Sequence, residues 1–317
     1  DASKRQAIID TSSEDSPFKP TTKRKEIAGV GKKTLVSLEV NKQLARSNSR
    51  SFIFMTDTLK IFEENDNKSL FFRVLIELRL FARHFLFVID TKSSGFIRLN
   101  FALPIYTRSR RMMFDARRPM VIDNEDLEHL CEELSDISSV LTQLVPGLSI
   151  GFKEISQTLD KDGEAATVTM LTAYRDGKEL PLRDESDGVR KIISVLSLII
   201  AAFNEQSVTV AIDEFDAGIF EYLLGEILQS MEESGKGQFI FTSHNLRPLE
   251  VINKKFLYFT TTNPQNRYIR LKNISATNNL RDTYFREIIL CEQEEEIYNK
   301  TKKFKIIAAL KKAGGLR

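Results

Sequence analysis

The stretch Val208–Asn245 (VTVAIDEFDAGIFEYLLGEILQSMEESGKGQFIFTSHN) constrains this chain more than any other. Val208, Val210 and Ile212, with Ala211 between them, form the short apolar run expected of a buried parallel strand. The run stops abruptly at two carboxylates, Asp213 and Glu214. From Ile219 to Glu233 apolar residues return at helical spacing (Ile219, Leu223, Ile227, Met231). Gly235-Lys236-Gly237 ends that helix, and Phe239-Ile240-Phe241 predicts a second buried strand. It too runs into polar groups, Thr242, Ser243, His244 and Asn245. In an open α/β sheet, ligands bind beyond the carboxyl ends of the strands, so these two polar strand ends can share one site.

The residue types suggest a phosphate chemistry. An apolar strand followed by Asp-Glu has the form of a Walker B segment, whose Asp holds Mg²⁺ directly or through water. The adjacent Glu can polarise a water for attack on a γ-phosphate, and a His-Asn pair on the neighbouring strand can sense that phosphate. An isolated Asp-Glu pair serves equally well to cap the next helix. The second strand ending in Ser-His-Asn tips the balance towards a site.

A third element narrows the class. Glu185-Ser186-Asp187-Gly188-Val189-Arg190-Lys191 precedes a long apolar helix, Ile192–Phe203. In this order and spacing the chain resembles ABC-class ATPases of the RecF/OLD/SMC-like branch over roughly Leu148 to Phe259. Ser186 and Gly188 fit that branch's signature, Asp213 and Glu214 its Walker B, Asp216-Ala217-Gly218 its D-loop and His244 its switch. The segments DEFDAGIFEYLLGEIL and NLRDTYFREI look most like AAA-type ATPases of bacterial anti-phage defence systems. The resemblance implies an α/β ABC-ATPase head: a mixed sheet with flanking helices and an antiparallel β-meander, carrying a helical insertion. It implies ATP and Mg²⁺ as cofactors. Asp213 then holds the metal, Glu214 is the general base, and His244 senses the γ-phosphate. Ser186, Gly188, Asp216 and Asn245 contact the nucleotide. It also implies a head-to-tail homodimer or higher homo-oligomer that switches a partner effector, such as a nuclease.

One motif of the class is missing. Gly29-Val30-Gly31-Lys32-Lys33-Thr34 is the nearest approach to a P-loop, but Glu26 stands where the first glycine belongs and Lys33 where Ser or Thr belongs. No apolar strand leads into it, so it reads as a basic turn. The chain begins with Asp1, and it is expected to be the downstream part of a longer protein whose P-loop lies ahead of it.

The remaining sequence divides into 1–50, a basic connector; 51–147, a mainly helical arm; and 148–317, the C-terminal lobe of the head. The connector is polar until Thr34, where TLVSLEV alternates like a strand. Ser69–Phe85 predicts an amphipathic helix with His84 at the core edge; Phe87–Asp90 and Gly95–Leu103 predict strands. Arg108, Arg110, Arg111, Arg117 and Arg118 surround Met112, Met113 and Phe114, and are the first place to expect contact with DNA, RNA or a partner protein. A solvated loop with Met and Phe packed inward is the simpler reading. Val121–Leu144 predicts a helix with an acidic start, and Leu148–Leu182 a β-meander with turns at Asp162-Gly163 and Asp176-Gly177. Near the end, Phe256–Thr260 and Tyr268–Leu271 read as strands, Asn279–Leu290 and Gln293–Ala313 as helices.

Composition adds limits. With 42% hydrophobic and 28% charged residues and a net charge of +2, the chain reads as an ordinary globular protein. Two cysteines, Cys131 and Cys291, give neither a disulfide framework nor a metal site and suit the cytoplasm; three histidines leave little for a multi-His centre. The apolar segments are too short or too charged for a bilayer span. Three further functions stay open: a DNA-end-binding repair ATPase of the RecF or SMC kind, a non-hydrolysing scaffold, and a nuclease, although no acidic cluster with metal-binding spacing stands apart from the Walker B pair.

Overall fold

A computed structural model describes residues 31–64, 70–89, 102–106, 111–115, 118–270, 280–290, 295–298 and 301–314. The chain divides into two compact units, residues 1–87 and 88–317.

As far as His84 the first unit is helical where described. Helices α1 (Lys32–Ser47), α2 (Thr56–Glu63) and α3 (Leu70–His84) enclose Leu35, Leu38, Phe52, Leu59, Phe62, Phe72 and Leu75. The rings of Phe62 and Phe72 lie 5.2 Å apart, and burying each side chain contributes about 1.5–3 kcal/mol. Two expectations are corrected here. The TLVSLEV segment is not a strand but part of α1. Its buried positions, Leu35, Leu38, Lys42 and Ala45, recur at helical spacing, while Val36 and Val40, which made the alternation, point outward. Lys32, Lys33 and Thr34, read as a turn, open the same helix with Gly31 as its extended N-cap; Gly29 and Val30 lie outside the described residues. His84 is exposed rather than at the core edge.

Strand β1 (Leu86–Ile89) runs into the second unit, where β2 (Ala102–Tyr106) and β3 (Arg111–Asp115) form an antiparallel hairpin. Most of the strand expected at Gly95–Leu103 lies outside the described residues. Next come β4 (Met120–Asp123) and α4 (Asn124–Leu144). The helix expected from Val121 thus starts three residues later. Val121 is exposed and Ile122 buried, the alternation of a strand, and β4 pairs with β6. The stripe Leu127, Leu130, Leu134, Ile137, Leu141 is buried as the periodicity requires.

The meander is β5 (Leu148–Leu159), β6 (Ala165–Arg175) and β7 (Lys178–Pro181). β6 is central, with β5 along one edge and β4 and β7 along the other. Asp176 and Gly177 both have positive φ, 49° and 76°, which a two-residue hairpin turn of this hand needs.

Helix α5 (Asp187–Asn204) is buried nearly all round and packs against β2, β8 (Thr209–Ile212) and β9 (Gln238–Phe241). Strands β1, β8 and β9 lie side by side in that order, β8 and β9 in parallel, with α6 (Glu221–Ser234) as their crossover. β8 is the buried strand expected, but β9 is not. Ile240 is exposed, because one face of β9 lies open while Phe239 and Phe241 turn inward onto Phe215.

Downstream, α7 (Pro248–Val251) precedes a two-stranded pair, β10 (Phe259–Thr260) and β11 (Tyr268–Ile269), shorter than expected. Residues Lys254–Phe256 form a 3-10 turn instead of strand. α8 (Leu280–Leu290) follows the expected helix. α9 (Lys303–Ala313) is ten residues shorter at its start than the helix expected from Gln293. There the backbone carbonyl of Glu296 accepts from Thr262, and the Glu295 carboxylate accepts from the Asn263 and Asn266 amides. These bonds hold the segment against the β10–β11 turn. Among the described residues, no helix is long and apolar enough to cross a membrane.

Candidate functional site

The site grows from the way β8 stops. The backbone N–H of Asp213 donates to the Ile89 carbonyl at 2.9 Å, and that of Thr242 to the Ile212 carbonyl at 3.1 Å. The N–H of Phe215 returns to the Thr242 carbonyl at 3.0 Å. The ends of β1, β8 and β9 are thereby tied together, and the carboxylates of β8 face the polar end of β9.

Thr242 sets the detail. Its hydroxyl accepts from the Glu214 N–H at 2.7 Å and donates to Asp213 Oδ1 at 2.5 Å. Glu214 has φ of 50°, a left-handed conformation that costs a non-glycine residue about 1 kcal/mol. The strain sits on the residue read as the base and is held by its surroundings. Glu214 Oε1 lies 3.8 Å from His244 Nε2, beyond hydrogen-bond reach, and the His244 side chain is 86% exposed. Asp216 braces the switch segment: its carboxylate accepts the N–H of His244 (3.2 Å) and of Asn245 (2.9 Å). The Asn245 side chain turns back to the Arg247 N–H at 2.8 Å. Asp213, Glu214, Asp216, His244 and Asn245 are therefore brought together.

The signature approaches from the other side of the turn. Ser186 caps α5, its hydroxyl accepting from the Val189 N–H at 3.3 Å. The preceding Glu185 is gripped at 3.3 and 3.1 Å by Arg175, at the end of β6, so the meander fixes where the signature starts. A Cβ on Gly188 would lie 2.0 Å from the Gly218 carbonyl oxygen, and Gly218 has φ of 79°. Signature and D-loop touch backbone to backbone, and only glycine permits it.

Sequence reasoning gave no task to two residues of its own motifs, Thr242 and Lys191. Thr242 carried only the weak signal of a hydroxyl next to a strand end. Lys191 is 3% exposed and donates to the Glu214 carbonyl at 2.7 Å and the Ala217 carbonyl at 2.6 Å. Its signal was its place as the last residue of the Glu185–Lys191 segment, at the head of an apolar helical run. Of the arginine cluster, Arg111 opens β3 opposite Tyr106 and Arg118 is exposed; Arg108, Arg110 and Arg117 lie outside the described residues.

No group of three or more His, Cys, Asp or Glu among the described residues forms a protein-only metal cage. A lone strand-end aspartate fits Mg²⁺, which takes one or two carboxylates and fills its shell with phosphate oxygens and water.

Two parallel strands thus end in these groups, and the Ser186-to-Gly188 start of α5 packs against the turn at Gly218, an arrangement in keeping with the resemblance to RecF/SMC-like ABC ATPases. Residues 132–250 match a family described as "AAA domain, putative AbiEii toxin, Type IV TA system". No curated protein matches. Among solved structures, an SMC head bound to the C-winged helix domain of ScpA is similar at 17% identity with a TM-score of 0.30, over 39% of this chain and 36% of that one.

Proposed function

We propose that this chain carries the Mg²⁺-binding, water-activating and signature parts of an ATP-driven dimeric switch that controls a toxic effector in bacterial anti-phage defence. The observation that carries the reading is the convergence of Asp213, Glu214, Asp216, His244 and Asn245 on one strand-end turn. The effector is supported by the description of the matching family, which names a toxin.

Bound Mg²⁺·ATP supplies the electrophilic γ-phosphate and neutralises its charge. Asp213, steadied by Thr242, would hold the metal. Glu214 takes the proton of the attacking water, and His244, exposed beside it, donates to a phosphate oxygen. The Ser186 end of α5 offers its N-terminus to the nucleotide held by a second copy.

The test is Glu214→Gln in the protein made from its native gene. The exchange keeps shape and removes the base, so hydrolysis should fall by about 10²–10⁴-fold while ATP binding persists and the dimer lives longer. Cells carrying this variant with the neighbouring genes should lose protection in a plaque assay. Hydrolysis within about threefold of wild type would overturn the catalytic reading. Unchanged protection, with hydrolysis gone, would leave a scaffold.

A further inference from the structure

Lys191 belongs to α5, yet its ammonium donates two hydrogen bonds that leave that helix. They end on carbonyls of the turn between β8 and α6, that of Glu214 at 2.7 Å and that of Ala217 at 2.6 Å. The Glu214 carbonyl also accepts the Ala217 N–H at 3.1 Å, closing the turn on itself. Glu214 occupies a left-handed conformation that an L-residue keeps only under outside restraint. Thr242 restrains it from the N–H side. Lys191 does so from the carbonyl side, so the two peptide groups flanking the carboxylate are held by different elements. Gly188, three residues earlier on α5, meets Gly218 backbone to backbone. The helix therefore grips the turn at two separate points.

We propose that Lys191 is a positioning residue for hydrolysis: from the signature helix it fixes the backbone of Glu214, and so the aim of its carboxylate, and makes signature and D-loop one body. This rests on the ATPase reading above. A displacement of the signature by nucleotide in the opposing subunit then moves Glu214 of its own subunit, which couples the two sites of a dimer without contact between them.

Two measurements on Lys191→Met test it. The first needs no nucleotide. Amide hydrogen exchange at Ala217 and Ile219, bonded to the Glu214 and Asp216 carbonyls at 3.1 and 3.0 Å, should quicken by about tenfold or more. Exchange in the interior of α5 should stay unchanged. The second is kinetic. The rate constant for hydrolysis should fall between about 10- and 100-fold with KM within about threefold, the mark of a misplaced group rather than a lost binding contact. Lys191→Met combined with Glu214→Gln should be no slower than Glu214→Gln alone. Unaltered exchange at Ala217 and Ile219, or losses that multiply in the double variant, would overturn the proposal. An inert wild-type enzyme with quickened exchange in the variant would leave the positioning and remove the ATPase reading. If Lys191→Met does not fold, Lys191→Gln, which keeps a donor for one carbonyl, takes its place with the same expectations and a smaller rate loss.

Discussion

Lys191 is a cation that folding must take out of water. Burial lowers its pKa from the usual 10.5 to about 8, against the opposing pull of Asp216 and then Glu214. The sign of the consequence is fixed by proton counting. Between pH 8 and 10.5 the unfolded chain holds a proton that the folded one has released, so this residue makes stability rise with pH across that window. Below pH 8 both states are protonated and its contribution is level. The neutral amine keeps two hydrogens, enough for both carbonyls, so the turn survives the titration. Urea unfolding of wild type and Lys191→Met from pH 7.5 to 10.5 isolates the effect, because other groups cancel in the difference. The wild type should gain on the variant as pH rises; a flat or falling difference would mean that the ammonium is not desolvated as the fold indicates.

At the scale of elements, the turn after β8 depends on an aromatic clamp. Phe215 is fully buried, with ring centroids 5.2 Å from Phe239 and 5.9 Å from Phe241. Both partners lie on β9, which presents an open face with Ile240 exposed. Phe215→Ala should therefore cost about 3–5 kcal/mol in chemical denaturation. Phe215→Leu should recover more than half of that loss, which a role in chemistry alone would not predict. A cost below about 1 kcal/mol for the alanine variant would show that β9 repacks freely. The same elements show what sequence can and cannot tell. The apolar run Val208–Ile212, its two carboxylates and the Ser186-to-Gly188 helix start were legible because each is a local pattern. Helix α1 was not, since Val36 and Val40 simulate a strand until burial shows that Leu35, Leu38 and Ala45 face the core. β4 hid in front of α4 because four residues that alternate can also begin a helix. The tasks of Thr242 and Lys191 follow from register and packing: Ile212 stands opposite Phe241, which sets Thr242 beside Asp213. No periodicity in one chain encodes that pairing.

For the whole molecule, the proposed head-to-tail dimer raises the question of which copy would complete which site. Arg175 and the meander fix the start of α5, Gly188 locks it to Gly218, and Glu214 lies on the far end of the same turn. Ser186 and Glu214 are thus carried on one body, and in a head-to-tail dimer each nucleotide would meet Ser186 of one copy and Glu214 of the other. This gives a mixing prediction. Ser186→Arg blocks the phosphate approach and Glu214→Gln removes the base, so each homodimer should be inactive. A mixed dimer, however, has one site with both residues intact and one with both altered. Mixing equal amounts makes half the dimers mixed, each with one working site of two, so about one quarter of wild-type hydrolysis should return. Recovery should grow with subunit exchange and stop when the dimers are cross-linked before mixing. If activity stays at the level of the separate variants although light scattering shows mixed dimers, then either both sites must fire together or the two residues serve one nucleotide within a single copy. Covalently linked dimers decide between these: a linked pair with one wild-type and one doubly altered copy is active only if a single copy suffices.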